Sequence, residues 1–113
     1  MKSYDLKGKD VVKLHNILYC ITSKVDYEME RLILLEGSYN DTFNYLLIEG
    51  SHCSCYDFDE TTWFATELTT DELIKLLNNT QDYEILRIKL KNFLKYYDYD
   101  FKIRLKDGDT DVK

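Results

Sequence analysis

Apolar residues recur along this chain with two periods, and the change from one to the other marks its elements. Val11, Leu14, Leu18 and Ile21 stand at helical spacing and predict a helix over residues 9–22, with Asp10 in its first turn. Val11, Val12, Ile17 and Ile21 also suit a strand, because β-branched residues pack well on a pleated surface. Residues 27–36 read as a strand that ends in the run Leu32-Ile33-Leu34-Leu35. Gly37-Ser38-Tyr39-Asn40-Asp41 has the composition of a turn, and residues 42–49 read as the second arm of an antiparallel hairpin. Gly50-Ser51 is expected to break that strand before His52-Cys53-Ser54-Cys55, and residues 63–68 read as a third strand.

The period then lengthens. Thr69 with Glu72 three residues on makes a capping box, and Leu68 and Leu73 occupy the staple positions around it. Leu73, Ile74, Leu76 and Leu77 form the apolar face of that helix, and Asn78-Asn79 can end it. Thr80 is placed to cap another helix, with Tyr83, Leu86, Leu90, Phe93, Leu94 and Tyr97 as its stripe. From 99 to 105 the pattern alternates: Tyr99, Phe101, Ile103 and Leu105 fall on one side, Asp100, Lys102 and Arg104 on the other. That is the signature of a half-buried strand. The sum is an α+β domain over residues 1–108, a small antiparallel sheet of about four strands packed against two to three helices, with 109–113 as a polar tail.

Composition narrows the class. The chain has 113 residues, with ten Tyr, five Phe and one Trp, enough aromatic mass for one packed core and too much for a disordered segment. There is no Pro, which removes collagen-like and linker-like readings, and three Cys is too few and odd for a disulfide scaffold. Residues 1–7 show no apolar leader core. The apolar runs 17–21 and 32–35 are far short of the ~20 residues that span a bilayer. A cytoplasmic location is therefore expected, with thiols reduced or metal-bound.

Charge is unevenly placed. The net charge is -6. Residues 25–72 hold twelve acids against Arg31 alone, while 1–24 and 81–106 are mildly basic. An acidic middle attracts basic partners and repels a phosphate backbone, although a solvated acidic surface kept for solubility has the same composition.

The segment His52-Cys53-Ser54-Cys55 is the clearest candidate for chemistry. Thiolate and imidazole are the ligands zinc prefers, a structural site takes four, and two Cys two residues apart on an extended chain face the same side. With Cys20 as the third thiol, Cys20, Cys53, Cys55 and either His52 or His15 would make a zinc site tying the first element to the loop after the hairpin. The plainer account is that the three thiols are small core residues. A nucleophilic Cys is not supported, since His52 and Cys53 are adjacent and would point apart on a strand, and no catalytic residue is assigned. Asp57, Asp59 and Glu60 follow without the spacing of an EF-hand, and no Gly-rich phosphate loop or hydrolase motif is present. Residues 89–106 interleave aromatics and bases. Lys95, Tyr97, Tyr99 and Lys102 could stack and neutralise a single strand, but the same aromatics have core periodicity. Tyr39, Tyr56 and Trp63 would be interface anchors if exposed.

The run Ile48-Glu49-Gly50-Ser51-His52-Cys53-Ser54-Cys55-Tyr56-Asp57-Phe58-Asp59, followed by Trp63, resembles a segment of small proteins from bacteriophages and mobile elements, over roughly residues 42–77. The resemblance implies that His52, Cys53 and Cys55 are the matching positions, and it favours a metal there. By type, a small acidic phage protein resembles anti-CRISPR inhibitors of the type II class, which share no common fold. That likeness implies a non-enzymatic inhibitor whose partner is a basic host protein, a type II CRISPR effector nuclease, without direct contact to nucleic acid or membrane. The expected carriers are Glu49, Asp57, Asp59, Glu60, Glu67, Asp71 and Glu72. The alternatives are a structural or regulatory metal-binding module and a weak binder of single-stranded nucleic acid.

Overall fold

In the computed structural model the described residues are 2–11, 16–25, 28–37, 42–53, 62–81 and 84–106; of 23–25, 28, 29 and 51–53 the backbone alone is described. They form an α+β fold of five strands and four helices: β1 (Lys2–Lys7), α1 (Gly8–Val11), β2 (Ile17–Val25), β3 (Glu28–Glu36), β4 (Tyr45–Cys53), β5 (Thr62–Leu68), α2 (Thr70–Asn78), α3 (Ile85–Tyr97) and α4 (Tyr99–Arg104). The strands make one antiparallel sheet in the order β1-β5-β4-β3-β2. The sequence reads as one domain over 1–108. The chain's internal packing divides it into two compact units, a sheet unit Met1–Thr69 and a helical unit Thr70–Lys113.

The expected hairpin is present. β3 pairs with β4 in a register that sets Leu35 opposite Leu46 and Ile33 opposite Ile48. The strand period then sorts residues by face. One face carries the cluster Ile33, Leu35, Leu46, Ile48, Trp63 and Ala65, closed by Val11 of α1 and flanked by Tyr4, Leu6 and Phe43. The other face carries Leu32, Leu34, Leu47 and Leu68, all buried. Continuous apolar runs such as 32–35 are what burial on both faces requires.

Three sequence expectations are corrected. The helix over 9–22 is only the single turn α1. From Ile17 the chain is β2, paired along β3 from Ile17 opposite Leu35 to Val25 opposite Glu28. Its β-branched and aromatic residues gain more from that partner than from a lone helix, whose nucleation is costly. Asn16 takes φ 64 before β2, a left-handed conformation that Asn tolerates, and its carbonyl accepts from the Glu36 N–H at 3.0 Å.

Gly50 does not break β4, which runs on through Cys53. Its missing side chain leaves room for Trp63 of the neighbouring strand: a Cβ at Gly50 would overlap the Trp63 ring. Trp63 is accordingly buried, with no exposed surface to serve as an interface anchor.

The third correction is α4. Residues 99–105 alternate in sequence, yet they coil. Asp98 caps the helix, its Oδ1 accepting from the Asp100 N–H at 2.9 Å, and Arg104 pairs with Asp100 one turn back at 3.3 Å. Helical spacing splits the alternating set in two. Phe101 and Leu105 are buried, while Tyr99 and Ile103 are 72% and 62% exposed. β1 was not foreseen; its short run of mixed charge carries little strand signal and becomes a strand by pairing with β5.

The helical unit follows its sequence signals more closely. α2 starts one residue after Thr69, buries Leu73, Ile74 and Leu77, and ends at Asn78. Thr80 closes it, with its hydroxyl donating to the Leu76 carbonyl at 3.2 Å, and does not cap α3. Asn78 does more than end a helix. Its Nδ2 donates to the Arg104 carbonyl at 3.0 Å and its Oδ1 accepts from the Lys106 N–H at 2.8 Å, tying α2 to the end of α4. Among the described residues, no helix is long and apolar enough to cross a membrane.

Candidate functional site

Of the residues proposed as zinc ligands, Cys20 and Cys53 stand far apart on the sheet. Cys20 lies within β2, exposed and in no disulfide. It is level with Ile33 of β3 and, through it, with Ile48 of β4. Cys53 closes β4 opposite Glu28, five residues beyond Ile48. The offset is roughly 16 Å along the strands and about 10 Å across them, at ~3.3 Å per residue and ~4.8 Å per strand. Thiolates bound to one zinc through bonds of ~2.3 Å cannot bridge that gap. Cys20 therefore shares no metal ion with Cys53, because the segment expected as a helix is the outermost strand and β3 separates it from β4. His52 stands opposite Met29 at the end of β4. His15, Cys55, Asp57, Asp59 and Glu60 lie outside the described residues. Among the described residues no group of three or more His, Cys, Asp or Glu is placed to hold a metal ion.

The expected acidic carriers are also redistributed. Glu67 projects from the sheet face of Ala65 and Trp63, and Glu49 from the opposite face, with Leu47. Asp71 and Glu72 lie in the first turn of α2, where carboxylates suit the helix dipole. Asp71 is engaged by Arg104 at 2.6 Å, a bond that holds the guanidinium above its usual pKa. The seven acids thus form no single surface among the described residues.

A different set does share a face. Asp5 and Glu49 both stand opposite Phe64, from β1 and from β4, so the three side chains form one row across the sheet. Glu30 and Glu36 project from the same face of β3, on either side of Leu32 and Leu34. Asp5, Glu30 and Glu36 are exposed, Glu49 is half-buried, and Phe64 is 49% exposed. Lys2 and Arg31 fall on the other face; Lys2 is opposite Glu67, and the Arg31 Nε donates to the Thr22 hydroxyl at 2.9 Å. Lys7, opposite Thr62, lies on the face of Asp5, so that face is acidic in balance rather than free of bases, and Phe64 sets an aromatic ring between two of its carboxylates. The sequence reading missed Asp5, Glu30, Glu36 and Phe64. The signal was the alternation within β3, where Glu30, Leu32, Leu34 and Glu36 are two apart.

The second exposed surface is in the helical unit. Tyr96 is 93% exposed, Tyr99 72% and Tyr97 44%, the last stacked on Phe93 with centroids 5.8 Å apart. Lys102 is exposed and shares one side of α4 with Tyr99 and Ile103 by helical spacing, and Lys106, just beyond the helix, is exposed too. Of these aromatics Phe101 is buried, as core periodicity requires, together with Leu90 and Leu94, while Tyr96, Tyr97 and Tyr99 are not.

A comparison with protein-family models, curated proteins and solved structures finds no match for this chain.

Proposed function

We propose that this chain is a non-catalytic binding protein that covers a basic, nucleic-acid-handling surface of another protein, in the manner of phage inhibitors of type II CRISPR effector nucleases. The observation that carries this reading is the row Asp5–Phe64–Glu49 on the acidic face of the sheet. A half-exposed aromatic ring between two carboxylates suits an arginine or lysine side chain, which stacks on the ring and pairs with the acids. Glu30 and Glu36 extend the negative field around it. The sheet unit also carries the whole net charge: residues 1–69 hold six bases and twelve acids, and residues 70–113 nine of each. Such a field would compete with guide or target nucleic acid for the same groove and speed encounter at low salt.

The test is binding of the purified protein to a type II effector, without guide and with guide, across a salt titration. The expected result is tight binding to the guide-free effector that weakens with salt, and a loss of about tenfold or more in Phe64→Ala and in Asp5→Lys, as for central anchors. Absence of binding at low salt, or equal affinity of wild type and both variants, sinks the reading.

One observation favours a second reading. Tyr96, Tyr97 and Tyr99 are exposed beside lysines, the arrangement on which single-stranded bases stack. A gel shift with a short single strand at low salt would show it, and Tyr99→Ala would abolish it; no shift removes it.

A further inference from the structure

The surroundings of Phe64 can be read off the register. Along β5 its neighbours on the same face are Thr66, buried, and Thr62, exposed. Across the sheet they are Asp5 of β1 and Glu49 of β4. Residues opposite each other hold their Cβ atoms about 4.5–5.5 Å apart, so the Cβ atoms of Asp5 and Glu49 bracket the ring at a separation of about 10 Å. Lys7 stands beside Asp5 on the same face, two residues along β1. Glu30 is a diagonal neighbour of Glu49, being two residues from the Leu32 that faces it.

We propose that the row Asp5–Phe64–Glu49 is an arginine site, selective for a guanidinium group over a lysine ammonium. The inference rests on the reading of this face as a surface for basic partners, and it adds which base the face takes. A guanidinium is planar and weakly hydrated. Lying on the ring, it holds its five N–H donors in one plane, directed outward to both sides, and a carboxylate stands on each side. An ammonium is a compact, strongly hydrated point charge. With two hydrogen bonds of about 2.8 Å its single nitrogen spans at most ~5.6 Å between oxygens, while a guanidinium adds the separation of its outer nitrogens. Lys7 sharpens the choice. A ligand must win Asp5 from an ammonium that is already its neighbour, so charge alone gives no advantage. Stacking on Phe64 and a second carboxylate do.

The experiment titrates the purified protein at low salt with hexa-arginine and hexa-lysine peptides, equal in length and charge, and follows the Phe64 ring by NMR. The arginine peptide should bind about fivefold tighter and shift the ring resonances. Phe64→Leu keeps the apolar bulk and removes the flat face; it should bring the arginine affinity down to that of lysine and leave the lysine affinity nearly unchanged. Asp5→Asn should weaken the arginine peptide about threefold. Glu36→Gln removes the same charge four residues along β3 from Leu32 and should cost less. Equal affinities for the two peptides overturn the proposal. So does a preference that survives Phe64→Leu, or an equal loss in Asp5→Asn and Glu36→Gln. An arginine preference without binding to an effector nuclease upholds the site and removes only that choice of partner; effector binding without the preference overturns the site and leaves the broader reading standing.

Discussion

Trp63 fills a seat in the sheet unit that exists because Gly50, on the neighbouring strand, has no side chain. In the helical unit the equivalent joining is done by Asn78, whose amide bonds backbone groups at the end of α4. The first is a match of shapes between strands, sensitive to one methyl group. The second is a polar tie at the surface, where water is a ready substitute. The sheet unit therefore holds a buried contact that a single methyl group disturbs, and the helical unit adds a polar tie at its surface to its buried Leu73, Leu77, Leu90, Leu94 and Phe101.

That contrast can be broken by measurement, starting where it is largest. Trp63→Ala should lower the unfolding free energy by about 3–5 kcal/mol, the usual cost of emptying a buried aromatic site. Gly50→Val should cost about 1–3 kcal/mol through overpacking. In the double variant the two costs should fall short of adding, because the small residue at 63 frees the space the new side chain needs. Strict additivity in denaturant titrations would show that Gly50 is not the seat of Trp63.

Asn78→Ala comes next. It removes two hydrogen bonds, both solvent-exposed, and should cost about 1 kcal/mol by the same titration. A loss as large as that of Trp63→Ala would erase the distinction between the units.

The smallest effect is Asp71→Asn. The Asp71–Arg104 pair is short, but Asp71 is 80% exposed and Arg104 39%. The melting temperature should hardly move, and raising salt should bring variant and wild type together. A large, salt-insensitive drop would mean that this pair organises α2 and α4 after all.

These magnitudes also explain which parts of the fold were legible. The hairpin and α2 were, because each is written locally: a turn after an apolar strand, a cap with Glu three residues on, an Asn-Asn stop. The alternation at 99–105 misled because a string of apolar residues two apart contains two helical pairs four apart. Which reading wins depends on the Asp98 cap and on burial of only one pair. Residues 17–25 misled because their partner, β3, lies beyond them in sequence. The candidate site was less legible than the fold. Charge counting found the acidic middle of the chain, but only cross-strand register puts Asp5, which lies outside that region, beside Phe64 and Glu49. The Cys-rich motif was visible as a motif, but the strand order separates Cys20 from it.

The sequence by itself determined the α+β class, the hairpin of β3 and β4, the helices α2 and α3, and the excess of acid before residue 73, since propensity, capping and charge act within a few residues or need only a count. The tertiary structure alone decided that residues 17–25 are an edge strand, that Gly50 is clearance for Trp63, and which acids share a face with Phe64. Those depend on strand order and register, where a shift of one residue would send every side chain to the opposite face.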